Sequence, residues 1–109
     1  MTANFRIKPR AKADLRNIWH YTLERWSEEQ ADSYIRALFS RFEWLASRPN
    51  AGRHRPDIEK GYYCFPEGRH LVFYLVRDGG IDITGFKIHA LHHVLVIRKG
   101  SPYIAVAHA

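Results

Sequence analysis

Two stretches of helical periodicity are parted by a single residue, and that interruption limits the chain more than any other feature. Ser27 is followed three residues later by Gln30, a capping box in which each side chain can satisfy the other's free backbone N–H. Trp26 before the cap and Ala31 after it are placed as a hydrophobic staple. Upstream, Pro9 sits where a helix would begin. From there Ala11, Leu15, Ile18, Trp19 and Trp26 recur at helical spacing with Thr22 on their face, while Asp14, Arg16, Asn17 and Glu24 fall elsewhere. Downstream, Ala31, Tyr34, Ile35, Leu38, Phe42 and Leu45 form a second stripe, running to about Ser47. It stops at "RPNAG", where Pro49 and Gly52 cannot continue it. Two helices so closely joined predict a tight antiparallel hairpin.

Strand patterns flank the hairpin. "NFRIK" (4–8) alternates apolar and basic residues, with Phe5 and Ile7 on one side. Residues 53–61 read as a polar loop. "YYCF" (62–65), the "PEG" turn, "RHLVFYLV" (69–76), the "RDGG" turn and "IDITGFKI" (81–88) read as three short strands, and Asp78-Gly79 is a strong hairpin signal. The expected fold is α+β: an N-terminal strand, then an antiparallel helical hairpin packed on a small antiparallel β-sheet.

The strand 69–76 is apolar on both sides. Leu71, Phe73 and Leu75 alternate with Val72, Tyr74 and Val76, and His70 stands at the edge of the second set. One helical hairpin covers one face of a sheet, so the other face should be polar in a domain that stands alone. The second helix has a similar surplus. Trp44 falls about 140° from the centre of its stripe at roughly 100° per residue, and Phe39 lies on the margin. More apolar surface than one hairpin can bury predicts a partner that covers the rest.

Composition narrows the class of partner. The chain has 109 residues, one cysteine (Cys64) and a net charge of +6, which fits one domain without disulfides and favours acidic partners. Positive charge clusters at Arg6, Lys8, Arg10 and Lys12 and again at Arg48, Arg53 and Arg55. No stretch is long and apolar enough to span a membrane, and the N-terminus lacks the apolar core of a signal peptide, so a cytoplasmic location without membrane partners is expected.

Residue types that carry chemistry are present without a spacing that selects them. His89, His92 and His93 superficially resemble a ligand cluster, but no Cys, Asp or Glu follows Asp82 to complete a zinc site. Cys64 sits within an apolar strand, as small buried cysteines do. RNA cleavage needs a base, an acid and cations around the phosphate. Arg53, Arg55, Arg69, His70, His89, Lys99 and Tyr103 are eligible for those roles, yet nothing orders them. The expectation is therefore no catalytic residue, no metal and no cofactor.

Larger blocks of the sequence are more specific. A-x-x-D-L-x-x-I-W (11–19), W-x-x-E-Q-A (26–31), the "RPNAG" break and F-P-x-G-x-H-x-x-F-Y (65–74) resemble the ParE toxins of bacterial type II toxin–antitoxin modules, part of the wider RelE/ParE superfamily. The likeness spans roughly residues 5 to 84. It implies a non-enzymatic toxin that inhibits DNA gyrase and is neutralised by a cognate ParD-like antitoxin wrapping its apolar surface, with no direct sequence-specific nucleic-acid binding. RelE-type relatives instead cleave mRNA on the ribosome, the alternative activity. On this reading Phe39, Trp44, Arg69, His70, Phe73 and Tyr74 are the expected partner contacts. Residues 1–88 form the toxin domain. Residues 89–109 form a tail, "HALHHVLVIRKGSPYIAVAHA", that departs from the family's usual ending, so a toxin attenuated to antitoxin binding alone is a third reading.

Overall fold

The computed structural model describes residues 4–89. Strand β1 (Asn4–Ile7) leads into helix α1 (Pro9–Arg25), and helix α2 (Glu28–Ser47) follows after Trp26 and Ser27. A short 3-10 turn (Pro49–Ala51) precedes strands β2 (Arg53–His54), β3 (Tyr62–Glu67), β4 (His70–Arg77) and β5 (Gly80–Ile88). The five strands form one sheet in the order β1-β5-β4-β3-β2. All neighbours are antiparallel except β1 and β5, which run parallel, so the sheet is mixed.

The helices begin and end where local chemistry demands. Pro9 occupies the first turn of α1, where its missing N–H costs nothing. The Ser27 side chain accepts a hydrogen bond from Gln30 N at 3.0 Å, which is the forward half of the capping box. Trp26 stays half-exposed, at 50 %, so the expected staple onto Ala31 does not close over it. A different link joins the helices: Trp19 Nε1 donates to Asp32 Oδ1 at 2.8 Å.

Both helices lay their stripes on one face of the sheet. Ala11, Leu15, Leu38, Phe42, Leu45 and Ala46 meet Val72, Tyr74, Ile81 and Ile83, all of them buried. The Val72–Tyr74 side of β4 is therefore the covered face, and Leu71, Phe73 and Leu75 on the other side remain half-buried. A bulge in β5 keeps its apolar residues on the core side. Phe73 pairs with Gly85 but Tyr74 pairs with Ile83, so Thr84 is the extra residue, and Phe86 joins Ile81 and Ile83 despite the broken alternation. The Phe86 amide beside the bulge is not left bare, because Asp14 Oδ2 on α1 accepts from it at 3.1 Å.

Two segments differ from the sequence expectation. Arg53–His54, read as loop, pairs with Cys64 and Tyr63 as an edge strand; two residues are too few to show a period. Pro66 belongs to β3, and the chain reverses at Gly68 and Arg69, with Gly68 at φ 57°. A side chain on Gly68 would run into the Tyr34 ring, so glycine is required there for space as well as for backbone angle.

Candidate functional site

The Arg69–His70 corner faces inward. Arg69 is 6 % exposed and His70 4 %. Tyr34 of α2 organises the corner: its hydroxyl lies 2.7 Å from His70 Nδ1 and 3.2 Å from the Glu67 carbonyl, and it accepts from Arg69 N at 3.3 Å. The Arg69 guanidinium sits 4.2 Å from the centre of the Tyr21 ring. Burial, with Arg69 beside it, pulls the His70 imidazole down to about 4, so it is neutral at pH 7 and a poor proton relay. Tyr74 is fully buried, and its hydroxyl donates to the Pro49 carbonyl at 2.8 Å and accepts from Gly52 N at 3.0 Å. Burial raises that hydroxyl to about 12, which keeps it a donor. The expectation that Arg69, His70 and Tyr74 present a partner-contact edge is corrected accordingly. Aromatic groups from both helices and the loop after α2 cover them, so they set the shape of the corner from within.

Phe39 and Trp44 lie on different flanks of α2. Phe39 is 39 % exposed and ends a chain of rings, packing on Phe42 at 5.3 Å and edge-on to Phe5 at 6.2 Å. Around it Ile7, Leu15, Trp19 and Ile35 line an open depression of about 410 Å³ whose rim carries Lys12 and Arg16. Trp44 is half-buried. Its ring lies 5.3 Å from Phe65, with the guanidinium carbons of Arg41 and Arg48 at 4.7 and 4.9 Å from its centre. Spacing held this signal, since Arg41 and Arg48 stand three before and four after Trp44, positions that neighbour it along a helix. Phe73 lines a separate cleft of about 380 Å³ on the uncovered sheet face, with Tyr62, Ile58, Arg10 and Lys87 among its walls. The six expected contacts thus do not form one site.

Groups suited to chemistry do not converge either. Arg53 and His54 lie on the edge strand, Arg55 is bound in a two-pronged pair with Asp57 at 3.0 and 2.8 Å, and His70 is interior. Lys99, Tyr103, His92 and His93 fall outside the described residues. Among the described residues no three His, Cys, Asp or Glu side chains gather as a metal cage, and no helix is long and apolar enough to cross a membrane.

One electrostatic cluster fixes the sheet that carries these surfaces. Asp82 Oδ1 accepts from Arg6 Nε at 2.9 Å and Arg77 Nε at 2.7 Å, joining β1, β4 and β5. The hydrogen bond from Arg6 leads in holding its carboxyl down to about 2, with Arg77 adding to it. The folded value lies below the unfolded one, so this stabilisation is fully present above the usual carboxylate range and is lost as pH falls toward 2. Asp82→Asn should cost on the order of 2 kcal/mol at pH 7, less in high salt because Arg6 is largely exposed. Urea unfolding from pH 7 to pH 2 should show the gap between the two proteins closing in acid; a constant gap would contradict this role.

The comparisons with known proteins agree with this architecture. A sequence model of the family described as ParE toxin of type II toxin-antitoxin system, parDE, matches residues 5–90. Toxin ParE1 of Caulobacter vibrioides is 42 % identical over 72 residues, covering 66 % of this chain and 75 % of that protein. Toxin ParE1 of Mycobacterium tuberculosis is 36 % identical over 85 residues, covering 77 % and 87 %. A solved structure described as the chromosomal ParDE TA system from P. aeruginosa superposes with a TM-score of 0.66 at 18 % identity over 80 % of this chain and 96 % of that one, a likeness of fold. The helical hairpin on its sheet and the match across residues 5–90 lead to one conclusion: this chain belongs to the ParE toxin family of type II toxin–antitoxin systems.

Proposed function

We propose that this toxin acts by binding DNA gyrase, without catalysing a reaction, and that a cognate antitoxin silences it by laying an apolar segment into the depression around Phe39. The observation that carries the antitoxin reading is that depression. Its floor of Ile7, Leu15, Trp19, Ile35 and Phe39 is apolar, and its rim offers Lys12 and Arg16. A segment that is apolar on one side and acidic at its margins complements it in both respects. Family membership supports the target: ParE-type toxins are associated with gyrase poisoning, which would place the action in the cytoplasm. Against a nuclease, the eligible acid–base groups are dispersed, and His70, the nearest to a catalytic histidine, is interior and neutral. Residues 1–88 carry the toxin domain in this reading.

Expression in growing bacteria tests it. Induced alone, the chain should arrest growth and raise DNA-damage signalling while transcripts stay intact; with its antitoxin co-expressed, growth should resume. Cleaved transcripts would favour the RelE-type activity instead. Unimpeded growth would identify a toxin attenuated to antitoxin binding.

A further inference from the structure

The loop after α2 has features that the antitoxin reading does not use. Residues 48–55, "RPNAGRHR", contain three arginines and a histidine and no carboxylate. Arg55 is taken by Asp57, but Arg48 and Arg53 are exposed, and neither forms a salt bridge among the described residues, although Arg53 is near enough to Asp57 to help hold its carboxyl below the usual range. The loop is tied to the sheet by side-chain hydrogen bonds. The Tyr74 hydroxyl grips Pro49 and Gly52 from below, and Tyr63 Oη donates to Asn50 Oδ1 at 3.1 Å. A Cβ on Gly52 would stand 2.5 Å from the Tyr74 oxygen, so the backbone lies directly on that hydroxyl.

The same tyrosines begin a stack of rings that leads out of the core. Tyr74 and Tyr63 lie 5.6 Å apart at 16°, and Tyr63 and His54 4.8 Å apart at 27°. His54 is exposed at the sheet edge, and its ring has no second ring partner among the described residues. The stack therefore ends on a π-surface open to solvent. Arg48 lies on the helix side of this end, stacked on Trp44, and stacking leaves the in-plane N–H groups of a guanidinium available. Arg53 precedes His54 on the edge strand and so points to the opposite face. Arg53 adjoins His54 on the edge strand, and Arg48 stands at the start of the same loop.

We propose that this pinned loop is a single-stranded nucleic-acid contact, in which an unpaired base extends the ring stack on His54 while Arg48 and Arg53 hold the phosphates on either side. Every base has a π-face and every nucleotide a phosphate, so the contact discriminates unpaired from paired strands and not one sequence from another. An acidic peptide would satisfy the arginines but leave the end of the stack unused. The surface lies on the other flank of α2 from Phe39, so this contact and antitoxin binding stand or fall separately.

Fluorescence anisotropy of the full chain with a labelled oligo-dT strand, repeated with oligo-U, tests the proposal. Both strands should bind, more tightly than a duplex of equal length, and poly-glutamate should compete poorly. Arg48→Ala with Arg53→Ala should weaken binding at least tenfold and flatten the salt dependence by about 1.4 in log–log slope, for two lost single-strand phosphate contacts. His54→Ala should weaken it roughly tenfold, as loss of one stacked base does, and His54→Phe should restore it. Melting temperatures should fall by only a few degrees, since all three side chains are exposed and lose at most one ring contact each. The proposal is overturned by absence of binding, by binding that survives the arginine pair, or by equal affinity for duplex. It is also overturned if poly-glutamate competes fully, or if the loss appears in Lys12→Ala with Arg16→Ala instead.

Discussion

Phe39→Glu should weaken antitoxin binding by roughly 100-fold or more while leaving a folded protein. Aromatic side chains at the centre of an apolar contact account for a large share of binding energy, on the order of 2 kcal/mol or more when truncated. A carboxylate adds the cost of burying a charge among Ile7, Leu15, Trp19 and Ile35, offset only in part by Lys12 and Arg16 at the rim. Phe39 contributes to the fold only through its inner edge, against Phe5 and Phe42, and is 39 % exposed. A drop of about 4–8 °C in melting temperature, corresponding to roughly 1 kcal/mol in a domain of this size, is the expected cost. Titration calorimetry with the purified antitoxin separates the two quantities. Affinity within threefold of the unmodified chain would remove this depression from the interface.

Phe42→Ala, one turn away on the same helix, should act chiefly on stability. Phe42 is fully buried, with Phe5, Phe39 and Phe86 at ring distances of 5.5, 5.3 and 5.9 Å. It joins α2 to β1 and to the end of β5 beyond the bulge. Truncating a buried phenylalanine costs about 3–5 kcal/mol through lost transfer energy and the cavity left behind. Against a total of about 5–15 kcal/mol for a typical domain, that removes a large fraction of the stability. Urea unfolding should show the midpoint collapsing for Phe42→Ala and falling far less for Phe42→Leu, which refills most of the space. A loss below 1 kcal/mol for the alanine variant would mean that the three rings are not a shared core.

The helical hairpin was legible because its signals are local: Ser27 and Gln30 cap one turn, and Pro49 and Gly52 stop another. The second surface of β4 was legible too, since alternation within "LVFYLV" needs no knowledge of neighbours. What the sequence hid depends on residues far apart. Arg69 and His70 look like surface groups by type, and it takes Tyr21 and Tyr34, from two helices, to bury them. The bulge at Thr84 exists only as a register against Phe73 and Tyr74. The parallel pairing of β1 with β5 likewise joins residues more than seventy positions apart, such as Arg6 and Asp82. Trp44 falls off the core stripe by spacing yet packs at the core's edge on Phe65, and the same spacing sets Arg41 and Arg48 beside it.

The central claim is that the chain disables gyrase by contact and without chemistry, and a supercoiling assay addresses it most directly. Purified chain added to gyrase, relaxed plasmid and ATP should block supercoiling and accumulate cleaved DNA at near-stoichiometric ratios to the enzyme. Prior mixing with antitoxin should restore activity. Undiminished supercoiling and no cleaved DNA at a large excess of folded chain would contradict the account.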